Sequence, residues 1–151
     1  MKQNCRNLYK KGIVLFFIIL ILLLIFYYSW LPDSELKTET YLPKWLLKWC
    51  NYYFNLRTAI PFVPLGYLLE VLNPISKRKS IINNSYIVPF WFQNSSISAL
   101  VVCIAEGGQF FITNRNPDIL DIVFGILGSV FGVIIYYLIK KITKLFFFKN
   151  A

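Results

Sequence analysis

The chain has 151 residues, of which 57% are hydrophobic and only 15% charged, with a mean hydropathy of +0.55. Water-soluble domains average roughly 45–50% apolar and about 25% charged residues, so this composition excludes a soluble fold of one domain's length and requires a lipid solvent for the excess. The net charge of +9 does not point to nucleic acid, because the Lys and Arg residues fall in short clusters flanking apolar runs instead of covering one soluble face.

Residues 1–151 are expected to form a single all-α membrane domain, a polytopic bundle of about four transmembrane helices. The first apolar run, residues 13–30, follows Lys2, Arg6, Lys10 and Lys11 and carries no charge. Eighteen residues are enough to cross a hydrocarbon core of about 30 Å. The run closes on Tyr27-Tyr28-Ser29-Trp30-Leu31-Pro32 with no small-residue cleavage pattern. It therefore reads as an uncleaved helix whose aromatic end sits at the membrane interface.

Between residues 31 and 55 acids and lysines alternate with aromatics. Pro43 to Phe54 begins with proline and carries Lys44 and Lys48 among Trp45, Trp49, Tyr52 and Tyr53, which suits a short helix lying in the headgroup layer. The second span, about 56–72, contains Pro61 and Pro64 and ends near Glu70; a kinked crossing is expected. The third runs over about 86–112 with Pro89 in its first turn, where proline is permitted. A four-residue turn, Thr113 to Asn116, then joins it to a fourth span over about 118–139, closed by Lys140 and Lys141.

Orientation follows from the positive-inside rule. The N-terminus, the loop with Lys77, Arg78 and Lys79, and the tail from Lys140 together hold eleven Lys/Arg, against five on the other side. Both termini are expected on the cytoplasmic side of the membrane.

That topology gathers polar residues at the outer end: Asp33 after the first span, Arg57, Glu106 and Gln109 three apart on one helix face, Arg115 in the tight turn, and Asp118 and Asp121 opening the last span. Ionisable groups at membrane depth cost about 2.5–3.5 kcal/mol on insertion scales, so they usually face a partner or a cavity. Along the last span Asp118, Asp121, Gly125, Gly128 and Gly132 form one stripe, acidic at the top and glycine below. Glycines on a stripe let helix backbones approach closely. Its expected neighbour is the third span, which offers Ser95, Ser98, Ala99 and Gly107-Gly108. The competing reading makes the acids glue within the bundle, with Arg115 neutralising Glu106 and Asp118 favouring a helix N-terminus.

The chain has no histidine, and Cys5, Cys50 and Cys103 are too widely spaced for a zinc site or a disulfide framework. No metal or other cofactor is expected.

The combined pattern Glu106-Gly107-Gly108-Gln109-Phe110-Phe111, Arg115-Asn116-Pro117-Asp118-Ile119-Leu120-Asp121, then Gly125, Gly128 and Gly132 resembles the C-terminal signature of VanZ-like proteins. Leu31-Pro32-Asp33, Leu56-Arg57 and Phe62-Val63-Pro64-Leu65-Gly66 extend the resemblance over residues 13–140 or so. Phe124 stands where many members have asparagine, and the family's Lys-x-x-His-Phe segment is absent.

The resemblance implies a membrane protein of the bacterial envelope. Its family takes its name from a protein associated with low-level teicoplanin resistance. On this reading the outer polar cluster binds a cell-wall lipid intermediate or a glycopeptide, through Arg57, Arg115 and Gln109, without catalysis. The alternative is an integral membrane enzyme acting on a lipid or lipid-linked phosphate. There Glu106, Asp118 and Asp121 would be acid/base groups or metal ligands. A small transporter is disfavoured because no internal repeat in hydropathy is evident.

Overall fold

A computed structural model describes residues 2–32, 42–72, 90–113 and 117–149. The described chain is all-helical, with α1 (Lys2–Ser29), α2 (Lys44–Tyr52), α3 (Phe54–Leu72), α4 (Phe90–Gln109) and α5 (Ile119–Lys149). Asp33, Arg115, Pro89 and the Lys77–Lys79 cluster lie outside the described residues.

Two of these helices are long and apolar enough to cross a membrane, α1 over Leu8–Ser29 and α5 over Ile119–Phe146. Both turn apolar side chains outward, such as Phe16, Ile19 and Leu23 on α1 and Leu127, Phe131 and Leu138 on α5. Such a surface suits lipid and would be an aggregation liability in water. Helices α3 and α4 do not reach that standard of apolarity. Arg57 and Glu70 dilute α3, and Gln93, Asn94, Ser95, Ser96 and Ser98 dilute α4.

The last helix continues to Lys149, ten residues beyond the apolar span expected to close at residue 139. Lysine is a good helix former, and Ile142, Leu145 and Phe146 continue the apolar face between Lys140, Lys141 and Lys144. The charges therefore mark a change of surroundings, not the end of the helix. α3 is likewise assigned as one helix from Phe54 to Leu72 with Pro61 and Pro64 inside it.

Contacts between helices fix their relative directions. Thr58 meets Asp121, and Glu70 meets Tyr137, so α3 and α5 run the same way. Ser98 bonds Ser129, while the backbone N–H of Asp118 reaches Glu106, so α4 runs opposite to α5. The end of α1 lies beside the end of α4 through Ser29, Trp30 and Ala105. Successive long helices thus alternate in direction, and the ends of α1 and α4 share one end of the bundle with the starts of α3 and α5.

The glycine face of α5 does not lie where the sequence places it. A Cβ on Gly128 would strike the carbonyl oxygen of Ala59, and one on Gly132 would strike that of Val63 and come within 2.8 Å of the Tyr67 nitrogen. Both partners belong to α3, not to α4. The approach is reciprocal, since a Cβ on Gly66 of α3 would collide with the Ser129 carbonyl. Short sequence separation favours α4 as the neighbour, but the glycines lie against Ala59 and Val63 of α3, with Gly66 opposite Ser129, and backbone-to-backbone approach needs small residues on both sides. α4 instead meets α5 through side chains, with Val102 3.2 Å from the Cβ position of Gly125 and a 2.7 Å hydrogen bond between Ser98 and Ser129.

At the far end of the bundle Glu70 is fully buried, and the Tyr137 hydroxyl donates to its Oε1 at 2.7 Å. Tyr67 stacks edge-on against Tyr136, ring centroids 5.8 Å apart, and Lys140 Nζ lies 5.8 Å from the Tyr136 ring. Interhelical hydrogen bonds in membranes are worth about 1–2 kcal/mol in model peptides and less on average in whole proteins. Tyr137→Phe is expected to lower unfolding stability by about 1 kcal/mol, read from the midpoint of denaturant unfolding in mixed micelles.

Candidate functional site

At the shared end of α1, α3, α4 and α5 the bundle forms a half-open cavity of about 330 Å³. Its lining changes character with depth. Nearest the helix ends are Ser29, Arg57, Thr58, Glu106, Gln109 and Asp121; one or two turns deeper come Leu24, Ile25, Phe62 and Val102. Four to seven residues of helix separate the two levels, or roughly 6–10 Å at 1.5 Å per residue.

Glu106 and Gln109 occupy the buried core of the polar level, 5% and 4% exposed. Their three-residue spacing puts them on one face of α4, and Gln109 Nε2 donates to Glu106 Oε1 at 3.0 Å. The same amide donates to Ser29 Oγ at 3.0 Å, and the Ser29 hydroxyl in turn donates a hydrogen bond to the Ala105 carbonyl at 3.3 Å. Glu106 Oε2 accepts the backbone N–H of Asp118 at 3.2 Å. One carboxylate therefore ties α4 to the entry of α5 and, through Gln109, to α1.

Asp118 has a different task. Its Oδ1 accepts the Leu120 N–H at 2.9 Å, the N-capping geometry that satisfies an otherwise orphaned donor at a helix start. Asp121, one turn on, accepts the Thr58 hydroxyl at 2.8 Å and so joins α5 to α3. Each of the three carboxylates thus has its own protein donor. Among the described residues, no three His, Cys, Asp or Glu converge as a metal ion would require.

The roof comes from α2. Leu46 and Cys50, four residues apart and hence on one face, line the cavity, while Trp45 and Tyr52 point outward, each more than 70% exposed. Beside the roof, Trp30 lays its indole on α4 and donates Nε1–H to the Ala105 carbonyl at 3.1 Å. A Cβ on Gly108 would overlap that indole, whereas one on Gly107 would meet nothing within 4 Å.

Of the seven polar positions singled out from the sequence, Arg57, Glu106, Gln109 and Asp121 line the cavity, and Asp118 braces it from the α5 cap. Asp33 and Arg115 fall outside the described residues. Gly125 lies below the polar level against Val102 and Phe62, and Gly128 and Gly132 hold α5 against α3. Ser29, Thr58 and Cys50 are also in the wall, and sequence reasoning passes over them. Ser29 lies 80 residues from Gln109 and Thr58 lies 63 from Asp121, so no local spacing links them. The available signal was weaker: both hydroxyls sit at span ends beside residues already of interest, Trp30 and Arg57.

A helical bundle with a lipid-compatible outer surface and polar groups turned inward defines an integral membrane protein of all-α type. The chain belongs to the VanZ/LLP1 family, which matches residues 13–140. No curated protein and no solved structure matches it significantly.

Proposed function

We propose that this protein is a four-span component of the bacterial cytoplasmic membrane, with both termini cytoplasmic, and that its cavity opens toward the outer side and binds the head-group end of an envelope lipid. The single observation carrying the reading is the gradient in the cavity wall, polar at the helix ends and apolar a turn or two deeper. An amphiphile in the outer leaflet has the same polarity in the same direction. Trp30 and Tyr28 lie at the polar level, where aromatic residues mark membrane interfaces.

Topology has independent support. α3 and α4 contain 19 and 20 residues, so each is about 30 Å long, which matches the hydrocarbon core. Together with α1 and α5 they alternate in direction, as four consecutive crossings must. The excess of Lys and Arg at the N-terminus, residues 77–79 and the tail then sets the cavity end outside.

The family's link with teicoplanin makes a cell-wall lipid intermediate the natural class of occupant. A cavity near 330 Å³ stands at the low end of the roughly 300–1,000 Å³ typical of small-molecule sites. It suits a head group and the first part of a chain, and a glycosylated peptide antibiotic is far too large to be enclosed. Any effect on glycopeptides would then be indirect, through the lipid. Glu106, Asp118 and Asp121 each answer to a separate protein donor and not to one another, which favours binding over a mechanism built on a paired-carboxylate dyad.

Teicoplanin susceptibility of isogenic strains with and without the gene, combined with lipid binding by the purified protein, tests this reading. We expect the gene to alter susceptibility and Glu106→Leu to abolish both the effect and the binding. Unchanged susceptibility together with no lipid retained by the purified protein would contradict it.

A further inference from the structure

At the end of the bundle opposite the cavity, α5 outruns the membrane. Its 31 residues make about 46 Å of helix at 1.5 Å per residue, against a hydrocarbon core of about 30 Å. Every side chain from Leu138 to Phe146 is exposed, so none of the other described helices covers this stretch. Its two sides differ. Lys140 and Lys144 are four apart and Lys141 and Lys144 three apart, which puts the three lysines on one side; the same spacings gather Ile142, Leu145 and Phe146 on the other. Leu145 and Phe146 are 62% and 66% exposed. Thr143 turns its hydroxyl back to the carbonyls of Ile139 and Lys140 at 2.9 and 3.0 Å, so its proton is held within the helix. An apolar side backed by a basic side is the pattern of a helix lying in a membrane interface, and an apolar stretch longer than the core reaches that layer by tilting.

Charge selects the lipid. The full sequence has seven acids. Three fall between α1 and α2, and Glu106, Asp118 and Asp121 belong to the cavity end. The seventh, Glu70, stands near the α5 tail but is fully buried against Tyr137. Cations collect there instead. Lys10 and Lys11 are exposed about five turns along α1 from Ser29, and Lys141 about six turns along α5 from Ile119, so the two groups leave the bilayer at a similar level. The sequence joining α3 to α4 adds Lys77, Arg78 and Lys79 and no acid. Lys140 already lies over the Tyr136 and Tyr137 rings, 5.8 and 6.0 Å from their centroids, so Lys141, Lys10 and Lys11 carry the contact. We propose that the tail of α5, with the start of α1, is a docking surface for anionic phospholipid head groups, phosphodiesters with no amine to balance them, as in phosphatidylglycerol. Ile142, Leu145 and Phe146 lodge among the glycerol esters while the lysines meet phosphate, a pairing that weakens as salt screens it. A second copy of this chain would bring the same cations against this face. The inference rests on α5 crossing a bilayer and is independent of what the cavity holds.

The test attaches a fluorescent bimane at Ile142→Cys of the full chain, with Cys5→Ser, Cys50→Ser and Cys103→Ser, in lipid nanodiscs holding one copy each. Discs of phosphatidylcholine are compared with discs of equal parts phosphatidylcholine and phosphatidylglycerol, and access is read by quenching with neutral aqueous acrylamide. The expected result is about threefold weaker quenching in the phosphatidylglycerol discs, reversed by high salt. Lys10→Gln, Lys11→Gln and Lys141→Gln together should remove the difference between the two lipids. A bimane at Ile134→Cys, an outward-facing position halfway along α5, should be shielded in both. Equal quenching at position 142 in the two lipids, with position 134 shielded, overturns the anionic docking surface and leaves the membrane reading intact. Shielding at position 142 that appears only with two copies in a disc assigns the face to a second copy and overturns it as well. Quenching at position 134 as strong as at 142 means that α5 does not cross the bilayer, and both readings fail.

Discussion

Gly132→Leu is expected to separate α5 from α3 and to cost about 3 kcal/mol or more of unfolding stability, the upper end of what overpacking produces. The reason lies in what surrounds the position. A first carbon there already strikes the Val63 carbonyl and sits 2.8 Å from the Tyr67 nitrogen. Both are backbone atoms of a helix, so no rotamer change relieves the overlap and the helix as a whole must move. That movement would also pull Thr58 from Asp121 and Tyr137 from Glu70, the hydrogen bonds at either end of the same interface. Helix propensity acts the other way, because glycine is about 1 kcal/mol worse than alanine inside a helix, but the gain is smaller than the clash. Gly12→Leu supplies the comparison, since nothing lies within 4 Å of a Cβ there. It should be neutral or slightly stabilising. Denaturant unfolding in mixed micelles gives both values, and equal effects at the two glycines would contradict the close approach of α3 and α5.

The second large effect is expected at Glu106. Leucine has similar bulk but cannot accept the Gln109 amide or the Asp118 backbone N–H, and Glu106 is only 5% exposed. Donors left buried without a partner cost about 1–3 kcal/mol each. Gln109 keeps Ser29 as an acceptor, so the greater loss is at the entry of α5. Glu106→Leu should therefore lower stability by about 2 kcal/mol and abolish lipid retention. Glu106→Gln keeps one acceptor oxygen for the Asp118 N–H but turns an amide toward Gln109, so it should cost less stability than Glu106→Leu while still removing the charge. Comparing the two separates the carboxylate's part in holding α4 to α5 from its part in binding. If both variants retained lipid like the parent, Glu106 would be a bracing residue alone.

These expectations also show which parts of the molecule could be read from the chain. Helical character and lipid as the solvent were legible because they depend on local composition and run length: α1 and α5 each carry an uninterrupted apolar stretch. Glu106, Gln109, Asp118 and Asp121 stood out because a charge or amide beside such a stretch is costly and spacing on one helix has a fixed meaning. Partnership between helices was not legible. Nothing in the spacing of Gly128 and Gly132 says whether α3 or α4 will lie against them, because both helices carry small residues: Ala59 and Gly66 on one, Ser95, Ser98 and Ala99 on the other. Ser29 and Thr58 were missed for the same reason, since their value comes from Gln109 and Asp121 far along the chain. The full length of α5 is not legible either, because Lys140 and Lys141 mark where an apolar span closes and a helix can continue beyond that point.

The most direct test of the account is whether the cavity wall is covered when an envelope lipid binds, and Cys50 is placed to report it. It lines the cavity from the roof helix, whereas Cys103 is exposed on α4. With Cys5→Ser and Cys103→Ser, Cys50 is the remaining thiol, and its rate of alkylation by a small maleimide can be followed in detergent with and without bacterial lipid extract. The same measurement on Cys103, with Cys5→Ser and Cys50→Ser, shows what lipid does to an outward-facing thiol. The account predicts a several-fold slowing at Cys50 that Leu46→Trp abolishes, and little change at Cys103. An equal response of the two thiols to lipid, or a Cys50 that fails to react even without it, would contradict a lipid site at this end of the bundle.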